Sequence, residues 1–445
     1  MQKNDIYDIE ITGMTDDGDG VGRADGMAVF VPYTIVGEKA RVLIVKVMKN
    51  FAYGKLMEII TPSMSRVKAE CPYFYKCGGC QLWHMDMDAE LEYKRQKVEE
   101  CLKRLGGIDV VPEKVVDTGI YRRYRNKAQY PVTKDGTGFY KRNSHVVIPI
   151  DDCLIQGEND KAIISAIRRW MEEYDIPAYD EEKHQGFLRN IYIREGKEEL
   201  IIVLVTLEND FPFKKELIDK LLKLDIPIAG IVQNINDKRT NVVLGKENKT
   251  LYGRDYLVDS IGDVSFKISP QSFYQVNRFA TKKLYEVAGE MAELSGEETL
   301  WDIYCGIGTI GQFLAKKVKK IIGIEVVPEA VENAKENAKN NGILNAKYHC
   351  GKAEFVMPRV AGQGERTDVV ILDPPRKGCD EKLLKTVLEL KPKKIIYISC
   401  KPSTLARDLK YLTGGKYEVK SVVPVNMFPK GAHVESVALL TPVKR

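Results

Sequence analysis

The sequence predicts an α/β protein in three parts: a small N-terminal β-barrel, a central α+β region and a C-terminal Rossmann-like domain. Three observations carry this. The first 62 residues hold short apolar runs broken by Gly and Asp clusters. Three cysteines, Cys71, Cys77 and Cys80, gather at the start of the middle region. Residues 271–445 alternate apolar strands with helical patterns, and the first strand runs into a glycine turn. A chain of 445 residues is also too long for one core.

In the barrel, residues 6–11, 27–32, 39–47 and 54–60 read as strands, and Asp16-Asp17-Gly18-Asp19-Gly20 reads as a turn. Small barrels of this kind often bind nucleic acid. Residues 1–62 carry seven Lys/Arg against nine Asp/Glu, however, so their charge gives RNA binding no support. The whole chain is 44% hydrophobic and 29% charged, ordinary for a soluble globular protein. No apolar run approaches the roughly 20 residues needed to span a bilayer. The polar start, Met1-Gln2-Lys3-Asn4-Asp5, carries no apolar signal core, so a cytoplasmic location is expected. In that compartment nine cysteines point to metal binding or catalysis rather than a disulfide framework. A net charge of +5 is only a slight pointer to an acidic partner.

The middle region, residues 63–270, offers a helix over 161–174 and a buried strand over 201–207. Cys71-x5-Cys77-Gly78-Gly79-Cys80 has the compact spacing of a metal site, and its glycines let backbone amides turn toward sulfur. Cys153 can supply a fourth ligand. Four-cysteine zinc sites usually show two Cys-x2-Cys pairs, whereas this set has one pair and two singles. An iron–sulfur cluster is therefore preferred, zinc is the alternative, and unligated cysteines come last. Cys101, Cys350 and Cys379 show no partner spacing. Residues 121–142 hold seven Lys/Arg and one acid, Asp135, interleaved with Tyr130, Phe139 and Tyr140. Cations beside aromatics suit single-stranded RNA, although a solvated charged face would look the same.

In the last region the strands fall at 299–304, 320–325, 369–373, 394–399 and 436–440, with helices at 311–317, 328–341 and before the last two strands. Asp302-Ile303-Tyr304-Cys305-Gly306-Ile307-Gly308-Thr309 closes the first strand with a Gly-x-Gly turn. Glu325 ends the next, where a carboxylate can accept both ribose hydroxyls. The loop is not Gly-x-Gly-x-x-Gly, which favours S-adenosylmethionine over NAD.

Asp373-Pro374-Pro375-Arg376 and Ser399-Cys400-Lys401-Pro402 end two strands at the carboxyl edge of the sheet. A thiol beside a methyl donor has a use. Carbon 5 of uracil becomes nucleophilic once a thiolate adds to carbon 6. A base must then take the carbon-5 proton, and Glu435 and His433 are the candidates. Lys401 and Arg407 are expected to lower the thiol's pKa. A cysteine at a strand end is more often a small buried hydrophobe. Asp-Pro-Pro-Arg also invites comparison with the Asn-Pro-Pro-Tyr loop of amino-group methyltransferases, though Asp in place of Asn argues against that chemistry.

Together these motifs resemble the RNA uracil-5-methyltransferase family over nearly the whole chain. The resemblance implies a TRAM barrel in residues 1–62, a central domain with a cluster and an RNA-binding surface in 63–270, and a methyltransferase domain in 271–445. It implies a 4Fe-4S cluster on Cys71, Cys77, Cys80 and Cys153. S-adenosylmethionine would be contacted by Gln275, Tyr304, Glu325 and Asp373. Cys400, in Ser399-Cys400-Lys401-Pro402-x-Thr404-Leu405-Ala406-Arg407-Asp408, would be the nucleophile. Glu435, in His433-Val434-Glu435-Ser436-Val437, would be the base. Thr309 stands where some members have Asn, and Cys350-Gly351 replaces an Asn ahead of the adenine-contacting region. A barrel and a cluster together point to large-subunit (23S) ribosomal RNA, with tRNA second. Two other readings are a non-catalytic iron–sulfur RNA-binding protein and an amino-group methyltransferase.

Overall fold

The structure is a computed structural model and describes residues 1–443. Strands β1 (Ile6–Met14), β2 (Gly20–Ala24), β3 (Met27–Val31), β4 (Lys39–Val47) and β5 (Phe51–Thr61) close a barrel in the order β1-β2-β3-β5-β4. Only β3 and β5 run parallel, and β4 pairs back onto β1. Alternate residues such as Ile9, Ile11, Val29, Val31, Val42 and Ile44 point inward and fill it. Strand β2 was not expected, because Gly20 and Gly22 look like turn residues. A Cβ at Gly20 would overlap Thr34 and Ile11, and one at Gly22 would overlap Ile9. These glycines make room for barrel packing rather than a turn.

Helix α1 (Met87–Cys101) follows the cysteine loops, capped by Asp86, whose side chain accepts from Ala89 N at 2.8 Å. The central elements are β6 (Lys127–Thr133), β7 (Gly136–Tyr140), β8 (Val147–Pro149), α2 (Asp160–Glu173), β9 (Leu188–Glu195), β10 (Leu200–Thr206), α3 (Lys214–Leu222), β11 (Ile228–Ile235) and β12 (Glu247–Gly253). They form a seven-stranded sheet, β12-β11-β10-β9-β6-β7-β8. Ile163, Ile167, Trp170, Leu217 and Leu221 of α2 and α3 cover one face. On the other face Tyr192, Ile201, Val203 and Val232 share a core with the hairpin β13 (Leu257–Ile261)–β14 (Val264–Ile268) and with α4 (Arg278–Ala292).

The last elements are β15 (Thr299–Ile303), α5 (Thr309–Phe313), β16 (Lys320–Glu325), α6 (Pro328–Asn340), β17 (Ala346–Cys350), α7 (Ala353–Ala361), β18 (Val369–Leu372), α8 (Glu381–Leu390), β19 (Lys394–Ser399), α9 (Pro402–Gly414), β20 (Tyr417–Val425) and β21 (Glu435–Pro442). Their sheet has the order β17-β16-β15-β18-β19-β21-β20. Strands β15 to β19 are parallel, whereas β21 inserts antiparallel between β19 and β20. The strand order reverses between β15 and β18, and a ligand crevice opens at the carboxyl ends of strands at such a point.

Helix α1 packs on this last domain: Val98, Cys101 and Leu102 join Leu405, Ala406 and Leu409 of α9 in one cluster. Helix α1, from within residues 63–270, thus packs against α9 and β20. Among the described residues, no helix is long and apolar enough to cross a membrane.

Candidate active site

The loop after β15 is bent by hydrogen bonding. Tyr304 N and Cys305 N both donate to Ile324 O, at 3.0 and 3.1 Å, and Tyr304 takes a left-handed φ of 65°. Gly306 and Gly308 follow at φ 55° and 85°. A Cβ at Gly308 would press on Tyr348 and Gln312, while one at Gly306 would meet nothing within 4 Å. The loop thus opens on the crevice at Gly306. Glu325 is fixed there: one oxygen accepts from Gly306 N at 3.2 Å, the other from Val326 N and Val327 N at 2.7 and 2.9 Å. Asp302, fully buried, accepts from Gly311 N at 2.9 Å and leaves Oδ1 without a partner. Burial pushes its pKa up to about 7.

Thr309 uses its hydroxyl on Tyr285 of α4 at 2.8 Å. Gln275 is buried just before α4, and its backbone carbonyl accepts from Asn126 Nδ2 at 2.8 Å. Asn277 caps that helix and also donates to Met427 O at 3.1 Å.

The β19–β21 register joins the two expected catalytic groups. Ser399 lies opposite Ser436, and the next step of the same antiparallel register sets Cys400 against Glu435. Cys400 sits just before α9, whose free amides and dipole favour a thiolate. The thiol is nevertheless pushed up to about 11, by burial first and then by Glu435, while Arg376 opposes. Glu435 is buried and pushed up to about 8, by burial first and then by Asp373, again opposed by Arg376. Asp373, at the end of β18, is partly exposed and raised to about 7 by burial and then by Asp302.

The expected role of Lys401 and Arg407 is corrected. Arg407 donates to Asp408 at 2.7 Å and to Lys377 O at 2.9 Å, and Lys401 is exposed. Arg376 is the cation that acts on both Cys400 and Glu435. It stood in view in the Asp-Pro-Pro-Arg loop but was given no role. His433 stands exposed beside Phe428, and its pKa is held down near 4 by the loss of solvation around the ring and then by Arg376. It is therefore neutral at pH 7.

Cys71, Cys77, Cys80 and Cys153 line one cavity of about 190 Å³, walled by Phe74, Trp83, Phe139, Ile150, Ile155 and Arg125. All four thiols are free, and burial raises each pKa, that of Cys153 to about 11. Among the described residues, no three His, Cys, Asp or Glu converge closely enough to hold a single metal ion. Arg125 Nε and Trp83 Nε1, both in the wall, are buried donors without partners, as an anionic guest would require. The donor set therefore fits a cluster.

The basic segment is not the open RNA face its composition promised. Arg122 pairs with Glu70, Arg123 with Asp152, and Arg142 with Asp19. Tyr124 and Tyr130 are buried, their hydroxyls bonded to Pro429 O and Asp160. Lys134, Tyr140 and Lys141 remain exposed.

A parallel sheet of this order, with its reversed last strand and its glycine loop, defines an S-adenosylmethionine-dependent methyltransferase fold. Residues 86–443 match the tRNA (Uracil-5-)-methyltransferase family and residues 2–57 the TRAM domain. The chain belongs to the RNA uracil-5-methyltransferase family. An uncharacterized RNA methyltransferase of Halalkalibacterium halodurans is 47% identical over 447 residues, covering 99% of this chain and 98% of that protein. One from Clostridium tetani is 45% identical, covering 99% and 97%. The crystal structure of Pyrococcus abyssi tRNA (uracil-54, C5)-methyltransferase with S-adenosyl-L-homocysteine superposes with a TM-score of 0.79 at 29% identity. That match covers 98% of this chain and 100% of the other.

Proposed function

We propose that the protein methylates carbon 5 of a uridine in RNA through a covalent adduct with Cys400, large-subunit ribosomal RNA being the favoured substrate. The observation that carries this is the antiparallel pairing of Ser399 with Ser436, which brings the adjoining Cys400 and Glu435 together beside the crevice at β15 and β18. Gln275, Tyr304, Glu325 and Asp373 would hold S-adenosylmethionine, which supplies the electrophilic methyl.

The Cys400 thiolate adds to carbon 6 of the ring, and the electron pair of the 5,6 double bond moves toward the carbon-4 carbonyl. Carbon 5 then forms its bond to the methyl as the sulfonium bond breaks. Glu435 takes the proton from carbon 5, the double bond re-forms, and the thiolate leaves. Arg376 favours the ionised forms of both Cys400 and Glu435.

Cys71, Cys77, Cys80 and Cys153 would hold a 4Fe-4S cluster with a structural role, since methyl transfer from a sulfonium moves no single electron. The barrel would guide RNA in the cytoplasm. The presence of both barrel and cysteine set supports the ribosomal reading. The end-to-end likeness to a tRNA (uracil-54) enzyme supports tRNA as the second.

Mapping 5-methyluridine in RNA from a strain lacking the gene, before and after complementation, tests both. Loss at a ribosomal site is expected. Loss in tRNA alone would select the second reading, and no loss in either would refute uridine methylation.

A further inference from the structure

Residues 426–434 join the cysteine cradle to Glu435. This stretch links β20 to β21 and ends at Glu435. Lys430 stands at its centre with a left-handed φ of 64°, a conformation that a lysine holds only when its surroundings fix it.

Each of its polar groups is engaged from outside the stretch. Lys430 O accepts from Gln81 N and Leu82 N, both at 3.0 Å, in the residues directly after Cys80. Lys430 N donates to Glu90 Oε1 at 2.9 Å. The Lys430 side chain is 7% exposed. It pairs with Glu90 at 3.2 Å, donates to Met85 O at 3.2 Å, and lies over the rings of Trp83 and Tyr121 at 5.9 and 5.5 Å.

The neighbouring residues are fastened too. Gln81 Oε1 accepts from Ala432 N at 3.2 Å, and Tyr124 donates to Pro429 O at 3.0 Å. Lys94, fully buried, bridges Glu90 and Asn426 and also donates to Phe428 O at 3.0 Å. Glu90 thus has two buried lysines, and Asp117 bonds Asn426 at 2.7 Å on the far side.

We propose that Lys430 is a positioning residue for Glu435, through which the segment after Cys80 sets the base that frees the enzyme from its RNA. The proposal rests on the assignment of Glu435 as the carbon-5 base. A shift of the Cys80 segment moves Gln81 and Leu82, which pull on Lys430 O. From Lys430 only four residues lead to Glu435, and one of them, Val434, is locked in the core. Cys400 lies between β19 and α9, outside this tether. Loss of the Lys430 ammonium leaves these main-chain bonds but frees the stretch from Glu90 and Met85 O, and so impairs proton removal more than thiolate addition or methyl transfer.

The test follows the covalent intermediate. Lys430→Met, given unmodified substrate RNA and S-adenosylmethionine, is expected to carry about tenfold more methylated protein–RNA adduct on a denaturing gel than the wild type. Its affinity for S-adenosylhomocysteine should stay within about twofold by calorimetry. Cys80→Ser, in folded protein, should show the same signature. Release from Lys430→Met at the wild-type rate, or equal loss of adduct formation and release, would overturn the proposal. If Lys430→Met does not fold, Gln81→Leu, which removes the side-chain bonds to Ala432 N and Gly78 O but keeps the main-chain bond to Lys430 O, decides by the same criterion. Wild-type enzyme that forms no adduct with 5-fluorouridine RNA would instead refute the uridine chemistry. A wild-type adduct with normal release from the variants would refute only the role of Lys430.

Discussion

The methyltransferase crevice and the cysteine cradle solve opposite electrostatic problems. The crevice gathers like charges: burial first raises the pKa of Asp302, Asp373 and Glu435, then Glu325 acts on Asp302, Asp302 on Asp373 and Asp373 on Glu435, where Arg376 opposes. The cradle gathers neutral thiols among aromatic and aliphatic walls, with the unpartnered donors Arg125 Nε and Trp83 Nε1. The first arrangement suits proton movement and a cationic donor. The second suits a permanent anionic guest. A perturbed pKa therefore marks chemistry in one region and ligation in the other, and geometry separates the two.

The sharpest way to break the contrast is Cys400→Ala. Methyl transfer should fall by about 10⁴-fold or more, while S-adenosylhomocysteine still binds, because the thiol activates the ring and does not hold the cofactor. Methyl transfer beside calorimetry checks this, and appreciable turnover would end the covalent mechanism.

Glu435→Gln is expected to lower turnover by about 10²–10⁴-fold and to leave a protein–RNA adduct stable to denaturing electrophoresis. Lowered activity without an adduct would remove Glu435 as the base and make His433 the next residue to replace.

On the cradle side, Cys77→Ser should cost stability and RNA affinity, by a few kcal/mol in denaturant melts. S-adenosylhomocysteine affinity should hardly change. An equal loss of cofactor affinity in folded protein would erase the division between the regions. Iron analysis of anaerobically purified protein gives the companion measurement: close to four irons per chain are expected on the 4Fe-4S assignment.

The smallest effect concerns pH. Glu435 rises from 4.5 in the unfolded reference to about 8 in the fold. Its contribution to stability is complete below the unfolded value and is lost as pH climbs through about 8. Activity runs the other way, because the base must be ionised, so turnover should rise with pH across the same interval. Arg376→Met should push both Glu435 and Cys400 further up and move the activity profile to higher pH by about half to one unit. A profile that does not move would show that Arg376 is not coupled to the reacting groups.

Legibility differed between the regions for physical reasons. The parallel strands were visible because β15, β18 and β19 are buried on both faces and so read as apolar runs. The β20 strand was missed because Glu418, Lys420 and Ser421 break its run. The α1 helix was missed for a deeper reason: its buried face includes Glu90 and Lys94, which no apolar periodicity reveals. The same blind spot hid the tether at Lys430. The motif residues Cys400 and Glu435 were legible, but their partner Arg376 was not, because only the folded loop places it. The basic segment misled in the other direction. Lys and Arg counts cannot show that Arg122, Arg123 and Arg142 are already paired.

The unpartnered Oδ1 of Asp302 and the raised acids beside it imply a reservoir of exchangeable protons near neutral pH. A sulfonium placed among these acids favours their ionised forms, so loading the donor should release hydrogen ions to the buffer. The spent thioether is uncharged and would leave more of them in place. Calorimetry in two buffers of different ionisation enthalpy would count the difference. The occupancy of these acids would then report, turnover by turnover, whether the methyl group is still on sulfur.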